Sequence, residues 1–233
     1  MRVLAVGAHP DDLEILCAGT LAKYAQRGDT VVMCYATNGN QGHFVIQPEE
    51  LGRIRCEEAR QATQVIGAEF LWLDLPDQLV EEDMATRRKF IEMVRQARPD
   101  MVLTHHPDDY IMDHRRVSRL VFEATFVATV AHVETGSPHH TKIAPIYYMD
   151  SLAGVEFLPE EYVDISDTLG AKREMLSKHQ SQVQWLKEHD NIDIMEFMET
   201  VARFRGLQAG VRYAEGFRRL RAWGRTTPER LLP

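Results

Sequence analysis

Short, uninterrupted apolar segments alternate with segments of helical periodicity through the first part of the chain. Residues 3–7 form the first apolar segment, a pattern typical of a strand that is covered on both faces of a sheet. After a break at Pro10, apolar residues recur at helical spacing from Leu13 to Tyr24, and Gly28 is a suitable helix stop. Further strands are predicted at residues 30–36, 69–73, 100–104 and 143–150, and further helices at 48–67, at 86–97 and after residue 114. This alternation predicts βαβ units, and therefore an α/β, Rossmann-like fold whose mostly parallel sheet is flanked by helices.

The carboxy-terminal part of the chain is less regular. A short edge strand is predicted at residues 162–166, a helix at 168–188 and helical spacing at 192–204. No internal repeat, low-complexity tract or obvious linker interrupts the sequence. We therefore expect one domain that spans residues 1–233.

Three polar loops follow predicted strands, at residues 8–14, 37–47 and 105–114. The carboxyl ends of parallel strands meet at one edge of a sheet, and ligands of such folds bind outside that edge. The side chains of the three loops should therefore lie close together, and the active site is expected there.

The charge balance excludes some classes of partner. The chain has 27 Lys and Arg residues against 35 Asp and Glu residues, a formal net charge of −8, whereas nucleic-acid-binding proteins usually present a basic face. The basic segment 218–225 is expected to be a solvated surface. No apolar run approaches the roughly 20 residues needed to cross a bilayer, and the amino terminus has no signal-peptide pattern. We expect a cytoplasmic protein with no nucleic-acid and no membrane partner.

A histidine and two aspartates, His9, Asp11 and Asp12, stand where the first predicted strand gives way to a helix. Imidazole nitrogens and carboxylate oxygens bind Zn²⁺ and also accept Fe²⁺, Co²⁺ or Ni²⁺. His9, Asp12 and His114 would supply the three protein ligands of a catalytic zinc site, and Asp11 would stand beside the ion as general base. Asp113 would orient a metal-ligating histidine. An alternative hypothesis needs no metal: the aspartates cap helices, and His114 is an ordinary surface residue.

Five segments of the sequence resemble the LmbE-like, or PIG-L, family of zinc-dependent N-deacetylases. AHPDDLE resembles the A-H-P-D-D-E signature of that family, and the others resemble its further motifs in the same order. They lie at residues 8–14, 37–43, 99–117, 172–182 and 213–217. Members hydrolyse N-acetyl groups, mostly from amino sugars and their conjugates. The resemblance implies zinc on His9, Asp12 and His114, Asp11 as the base, an N-acetylated sugar as the substrate and, since members are often oligomers, a homo-oligomer.

One position departs from the family pattern. Many members have a histidine where this chain has Ile111, and that histidine is thought to stabilise the oxyanion or to protonate the leaving amine. Either another group takes over or catalysis is weak, because the loss of one oxyanion donor can cost on the order of 10²–10³ in rate. His106 is our preferred catalytic replacement, because it leads the same loop and precedes a proline that stiffens the loop. The other candidates are His105, Tyr110, Arg115 and His179.

The substrate is less defined than the reaction. Asn38 and Asn40 are candidates for binding sugar hydroxyls, although turn formation alone would also explain them. Tyr110 and Arg115 are further candidates for substrate binding. Apolar residues near these loops would favour a ligand with an aromatic or acyl portion. They are Phe44, Tyr110, Ile111 and Met112.

Two other functions remain open at this point. The same metal and base could cleave a larger amide that has no acetyl group, or the chain could be a catalytically weakened homologue that binds metal and ligand. A dinucleotide-binding Rossmann domain is a weaker alternative, because the first strand is followed by His-Pro-Asp-Asp and not by G-x-G-x-x-G.

Overall fold

The computed structural model describes all 233 residues, and its regular elements alternate between strands and helices along much of the chain. The strands are β1 (Arg2–Gly7), β2 (Thr30–Thr37), β3 (Glu69–Leu75), β4 (Met101–Thr104), β5 (Ile146–Met149), β6 (Glu161–Asp164) and β7 (Ala214–Arg219). The helices are α1 (Asp12–Leu16), α2 (Ala18–Gln26), α3 (Pro48–Gln64), α4 (Met84–Ala97), α5 (Met112–Val127), α6 (Leu169–Leu176), α7 (Gln180–His189) and α8 (Ile194–Ala209). A single 3-10 turn spans Leu152–Gly154.

The seven strands form one sheet in the spatial order β3-β2-β1-β4-β5-β7-β6. Strands β1 to β5 pair in parallel, and β7 is antiparallel to both β5 and β6. The predicted α/β fold with a mostly parallel sheet flanked by helices is confirmed. Strand β6 lies at the edge, as its sequence predicted.

Helices cover both faces of the sheet, so the central strands are buried on both sides. In β1, Val3 and Ala5 join a cluster of 29 buried residues on one face, whereas Leu4 and Val6 join a cluster of 23 on the other. This arrangement explains why the first strand reads as an uninterrupted apolar run and does not alternate with polar residues. None of the helices is both long and apolar enough to cross a membrane.

Two helices that the sequence predicted as continuous are each split in two. The first breaks at Cys17, and the carboxylate of Glu215 from β7 accepts hydrogen bonds from the amides of Gly19 and Thr20 in the first turn of α2. A helix start leaves such amides without partners, so a carboxylate there stabilises a new helix. The predicted helix at 168–188 likewise divides into α6 and α7, with His179 at the start of α7.

The end of the chain is more deeply buried than its sequence suggests. Strand β7 was not predicted, because its sequence, AEGFRR, has no apolar alternation.

The expectation of a solvated basic surface is wrong for Arg225, which is buried and donates to Thr125 Oγ1 and to the carbonyls of Ala144 and Phe122. Its guanidinium donates hydrogen bonds to carbonyl groups beneath the carboxy-terminal segment. Within the same basic segment, Trp223 is 97% exposed, so only part of the segment is buried.

The strand order changes direction at β1, because β2 lies on one side of it and β4 on the other. In an open α/β sheet this change leaves a crevice outside the carboxyl ends of the two strands. The loops that begin at Ala8 and at His105 both open into this crevice, and the amide of Ala8 donates to His105 Nε2 at 2.9 Å.

Candidate active site

The loop after β1 is held in a tight shape by the side chain of Asp12. Its Oδ2 accepts a hydrogen bond from the His9 amide at 2.6 Å. Asp11 has a φ of 119° (ψ −23°), a backbone region that non-glycine residues rarely adopt, and its side chain does not cap α1. Neither carboxylate therefore serves as the ordinary helix cap that was an alternative explanation for this pair, and the strained backbone points to a functional site.

The side chains of His9, Asp12 and His114 converge, and each offers a ligand atom within 4.8 Å of the others. His9 Nδ1 lies 3.3 Å from Asp12 Oδ2, and His114 Nε2 lies 3.3 Å from Asp12 Oδ1. Because the two contacts use different oxygens of Asp12, the carboxylate lies between the two imidazoles, and such nitrogens and oxygens are the donors that zinc accepts. His114 Nε2 is buried and has no hydrogen-bond partner, as expected of a site that is completed by a cation. The donor set fits a divalent metal.

Further carboxylates lie behind the two imidazoles. Asp109 Oδ2 is 3.0 Å from His114 Nδ1. Asp77 Oδ1 is 3.2 Å and Asp113 Oδ2 is 3.5 Å from His9 Nε2. Carboxylates in such positions orient metal-ligating histidines and select their tautomers. The structure therefore brings Asp113 to His9, in keeping with the orienting role expected for it, and adds Asp77 and Asp109, which the sequence reasoning did not assign.

The charges of the cluster depend on one another. Burial opposes a charge on His114, but the carboxylates of Asp12 and Asp109 outweigh it and raise the pKa of His114 to about 9. Burial also disfavours the Asp12 carboxylate, yet the neighbouring imidazoles, His114 foremost, hold the pKa of Asp12 well below its usual range. In the metal-free protein, protonated imidazole therefore balances Asp12, and a metal ion would replace those protons.

Asp11 faces the same cavity as the cluster and has a partner that the sequence did not reveal. Arg55 Nη2 lies 3.2 Å from Asp11 Oδ2, and the guanidinium also donates to the carbonyls of Pro10 and Gly39. Burial raises the pKa of Asp11 to about 6, against the lowering effect of Arg55. A carboxyl with that pKa can both accept and return a proton near neutral pH.

Two comparisons of the sequence with known proteins bear on this geometry. The model of the family described as PIG-L, GlcNAc-PI de-N-acetylase, matches residues 4–125, more than half of the chain. The chain belongs to the PIG-L family. The diacetylchitobiose deacetylase of Thermococcus kodakarensis is 28% identical over 232 residues, covering 93% of this chain and 82% of that protein. The 4-oxalmesaconate hydratase of Pseudomonas putida is 25% identical over 219 residues, covering 88% of this chain and 80% of that protein.

A solved structure extends the likeness to three dimensions. The N,N'-diacetylchitobiose deacetylase of Pyrococcus horikoshii, in complex with an inhibitor, matches with a TM-score of 0.81 and 26% identity, and covers 94% of this chain and 83% of that chain. The family resemblance that the sequence motifs suggested is thus confirmed.

This chain has an isoleucine, Ile111, at the position where the PIG-L motif described above often has a histidine. Ile111 is the residue that precedes α5, and its side chain lines a cavity of ≈ 600 Å³ together with His9, Asp12 and His114. The preferred replacement, His106, is not among the lining residues. Its ring packs edge-on against Tyr148 and Phe157, and its Nε2 lies 3.2 Å from Arg218 Nη1. The location of His106 therefore does not support a catalytic role.

His105 and His179 are fully buried and also lie outside the cavity lining. His105 stacks on His114, with ring centroids 3.8 Å apart, and its Nε2 accepts the Ala8 amide. Burial and the neighbouring His114 lower the pKa of His105 to about 4, so the ring is neutral. His179 Nε2 lies 3.4 Å from Glu14 Oε1. His105 therefore supports His114 from behind, whereas His179 contacts Glu14.

Most of the predicted substrate-binding residues build the loops and do not line the cavity. Asn38 Nδ2 donates to Asp74, and Asn40 Oδ1 accepts the amide of Asp77. Arg115 donates to the carbonyl of Asp109 and so fixes the loop that holds the carboxylate behind His114. Tyr110 does line the cavity, and its hydroxyl donates to the carbonyl of Leu152.

Proposed function

We propose that this chain is a metal-dependent hydrolase that removes an N-acetyl or related N-acyl group from an amino sugar or its conjugate. The observation that carries the proposal is the convergence of His9, Asp12 and His114 within 4.8 Å, in one cavity with Asp11. Family membership and the diacetylchitobiose deacetylase relatives support the reaction class. We propose zinc as the metal, because two imidazoles and one carboxylate are a typical catalytic zinc set, although Fe²⁺, Co²⁺ and Ni²⁺ suit the same donors.

When bound, the metal would act as a Lewis acid and lower the pKa of a water molecule toward ~7. Asp11 accepts the proton of the attacking water, and Arg55 holds that carboxylate in place from 3.2 Å. The water oxygen adds to the amide carbonyl carbon, the C–N bond then breaks, and Asp11 returns its proton to the leaving nitrogen. The products are a carboxylic acid and a free amine, and Asp11 is again ionised. Because Ile111 has no exchangeable proton, Asp11 carries out both proton transfers.

Replacement of the base tests this proposal directly. Asp11→Asn should retain one metal ion per chain but lose about 10²–10⁴ in turnover, the usual range for general acid–base catalysis. Asp108→Asn is the matched control, because Asp108 lies on a loop at the same edge of the sheet and its side chain is 88% exposed. The assay measures metal content and the release of acetate and free amine from N-acetylglucosamine and its glycosides. Near-full activity of a metal-loaded Asp11→Asn variant would contradict the assignment.

A second candidate, the addition of water to an unsaturated polycarboxylate, is suggested by the Pseudomonas putida hydratase relative. The charges of the cavity argue against it. Asp11, Asp12 and Asp77 line the cavity, and its one Lys or Arg side chain, Arg55, is already engaged by Asp11 and two carbonyls. Apart from the metal ion and its two imidazoles, a polyanionic substrate would therefore find no free cationic group there. Consumption of a conjugated unsaturated carboxylate, followed by its ultraviolet absorbance, would favour the hydratase over the deacetylase.

Other expectations from the sequence also remain predictions. They include a single domain over residues 1–233, the absence of a nucleic-acid partner, a cytoplasmic location and a homo-oligomeric state. Cell fractionation tests the location and light scattering tests the oligomeric state.

A further inference from the structure

Half of the residues that line the candidate active-site cavity are hydrophobic. Six of them form what we call the apolar wall: Ile15, Leu152, Leu186, Ile192, Ile194 and Phe197. They come from four separate parts of the chain, namely α1, the 3-10 turn, α7 and the start of α8 with the residues before it. Ile192 remains 41% exposed. Ile15 and Ile194 belong to the 29-residue core cluster, and Leu152, Leu186 and Phe197 pack against it, so the wall is the part of that core that faces the cavity. Hydrophobic walls of this kind are typical of ligand sites.

The polar side chains away from the metal cluster offer little to a sugar. Gln182 Nε2 donates to the carbonyl of Gly42, and Gln78 Nε2 donates to Asp77. The Tyr110 hydroxyl donates to the carbonyl of Leu152. A ligand that is polar on all sides would share these three side chains with their internal hydrogen bonds, and those of its hydroxyls that face the apolar wall would lie against hydrocarbon without partners.

The apolar surface begins at the metal cluster itself. Ile111 lies three residues before His114 and lines the same cavity as His9 and Asp12. Ile15 of the apolar wall follows Asp12 by three residues on α1, so the wall and the cluster share one cavity.

We propose that the substrate carries an apolar group of several carbons next to the amide that is cleaved, and that this group packs on the apolar wall. This inference rests on the proposed hydrolase function and narrows its substrate class. The shared chemistry is a hydrocarbon chain or ring, and its source is either the acyl group that is removed or the aglycone of the amino sugar. Burial of each methylene from water contributes enough free energy to change an equilibrium constant by about three- to fourfold.

Two substrate series separate the two sources. One series is glucosamine with linear N-acyl groups from acetyl to octanoyl, and the other is N-acetylglucosaminides with linear alkyl aglycones from methyl to octyl. Free amine is measured for both with the metal-loaded protein. In one series kcat/KM should rise by about three- to fourfold per methylene until the wall is covered. A flat or falling dependence in both series would overturn the inference.

Wall variants test where the chain binds. Ile192→Ser and Phe197→Ser should lower the ratio of kcat/KM for the longest and shortest members of the responsive series. Leu207→Ser is the matched control, because Leu207 lies on α8, is 70% exposed and does not line the cavity. An equal fall in that ratio for Leu207→Ser would contradict the assignment of the wall.

Equilibrium binding separates this inference from the proposed reaction. Linear alkanoates from acetate to octanoate and alkyl glucosaminides from methyl to octyl are titrated calorimetrically into metal-loaded protein. Affinity that rises with chain length, in the absence of amine release from any substrate, would retain the wall and refute the hydrolase. Amine release with no chain-length dependence in rate or affinity would retain the hydrolase and refute the wall. The absence of both would refute both.

Discussion

Arg55 offers a sharp test of how the site controls its base. Its guanidinium is buried, with 4% of the side chain exposed, and lies 3.2 Å from Asp11 Oδ2. An opposite charge at this distance typically lowers a carboxyl pKa by about 1–3 units. Removal of that charge in Arg55→Gln should therefore raise the pKa of Asp11, which is about 6 in the metal-free protein. The acidic limb of the pH profile of kcat/KM should move to higher pH by about 1–3 units.

The sign of this effect follows from the role of Asp11 as a base. Only the ionised carboxylate can accept a proton, so a higher pKa lowers activity near neutral pH and spares it at alkaline pH. A bound cation would lower the pKa of Asp11 in both proteins, so the expected shift is the difference between the two pH profiles. Metal analysis and circular dichroism exclude loss of metal or of folding, since Arg55→Gln also leaves the carbonyls of Pro10 and Gly39 without their donor.

Arg53→Gln is the matched control, because Arg53 lies on the same helix and is exposed. Its profile should coincide with that of the unmodified protein. If a metal-loaded Arg55→Gln protein keeps its acidic limb in place, Arg55 does not control the ionisation of the base, and the reasoning fails.

Three further predictions concern the metal and the cavity. Asp109→Asn should weaken metal affinity by about 10–100-fold in a chelator competition, because it removes the carboxylate behind His114, whereas Asp108→Asn should leave the affinity unchanged. Metal binding at pH 7 should release protons, because His114 has a pKa of about 9 and His9 a raised pKa in the metal-free protein. Calorimetry in buffers of different ionisation enthalpy should show fewer protons released per metal ion above pH 9 than at pH 7. Equal proton release at pH 7 and above pH 9 would contradict the assignment of protonated imidazoles. Ile111→His should lower kcat/KM for the longest member of the responsive substrate series; a large gain would indicate an active site degraded by isoleucine.

The strand pattern and the position of the site could be predicted from local sequence. An apolar run such as Val3 to Gly7 can be satisfied only by burial on both faces, which a parallel sheet between helices provides. The loops that follow parallel strands must then share one edge, and this brings His9 and His114 together although 104 positions separate them. Neither inference needed knowledge of distant contacts.

Features that depend on partners far along the chain could not be predicted. Strand β7 has little apolar character, yet Glu215 within it is buried because it pairs with Lys172 and with two amides of α2. The break of the first predicted helix depends on that same carboxylate. A charged side chain is buried only when such partners are present, and the pattern around Glu215 does not reveal them.

Arg55 lies between the features that could be predicted from the sequence and those that could not. It stands in the buried face of α3, where Leu51, Ala59 and Ala62 are also buried. A charged residue at helical spacing within an apolar stripe signals a buried partner, and this observation could have indicated a functional arginine. The position of the His106 ring could not be predicted, because nothing in its loop sequence indicates that the ring packs against Tyr148 and Phe157.

The most direct test of the account is a structure of the metal-loaded protein with anomalous diffraction recorded at the absorption edge of the bound metal. We expect one strong peak, with nitrogens of His9 and His114 and an oxygen of Asp12 at about 2.0–2.2 Å from it. A peak held instead by Asp77 and Asp113 alone, or the absence of a peak in protein saturated with zinc, would contradict it.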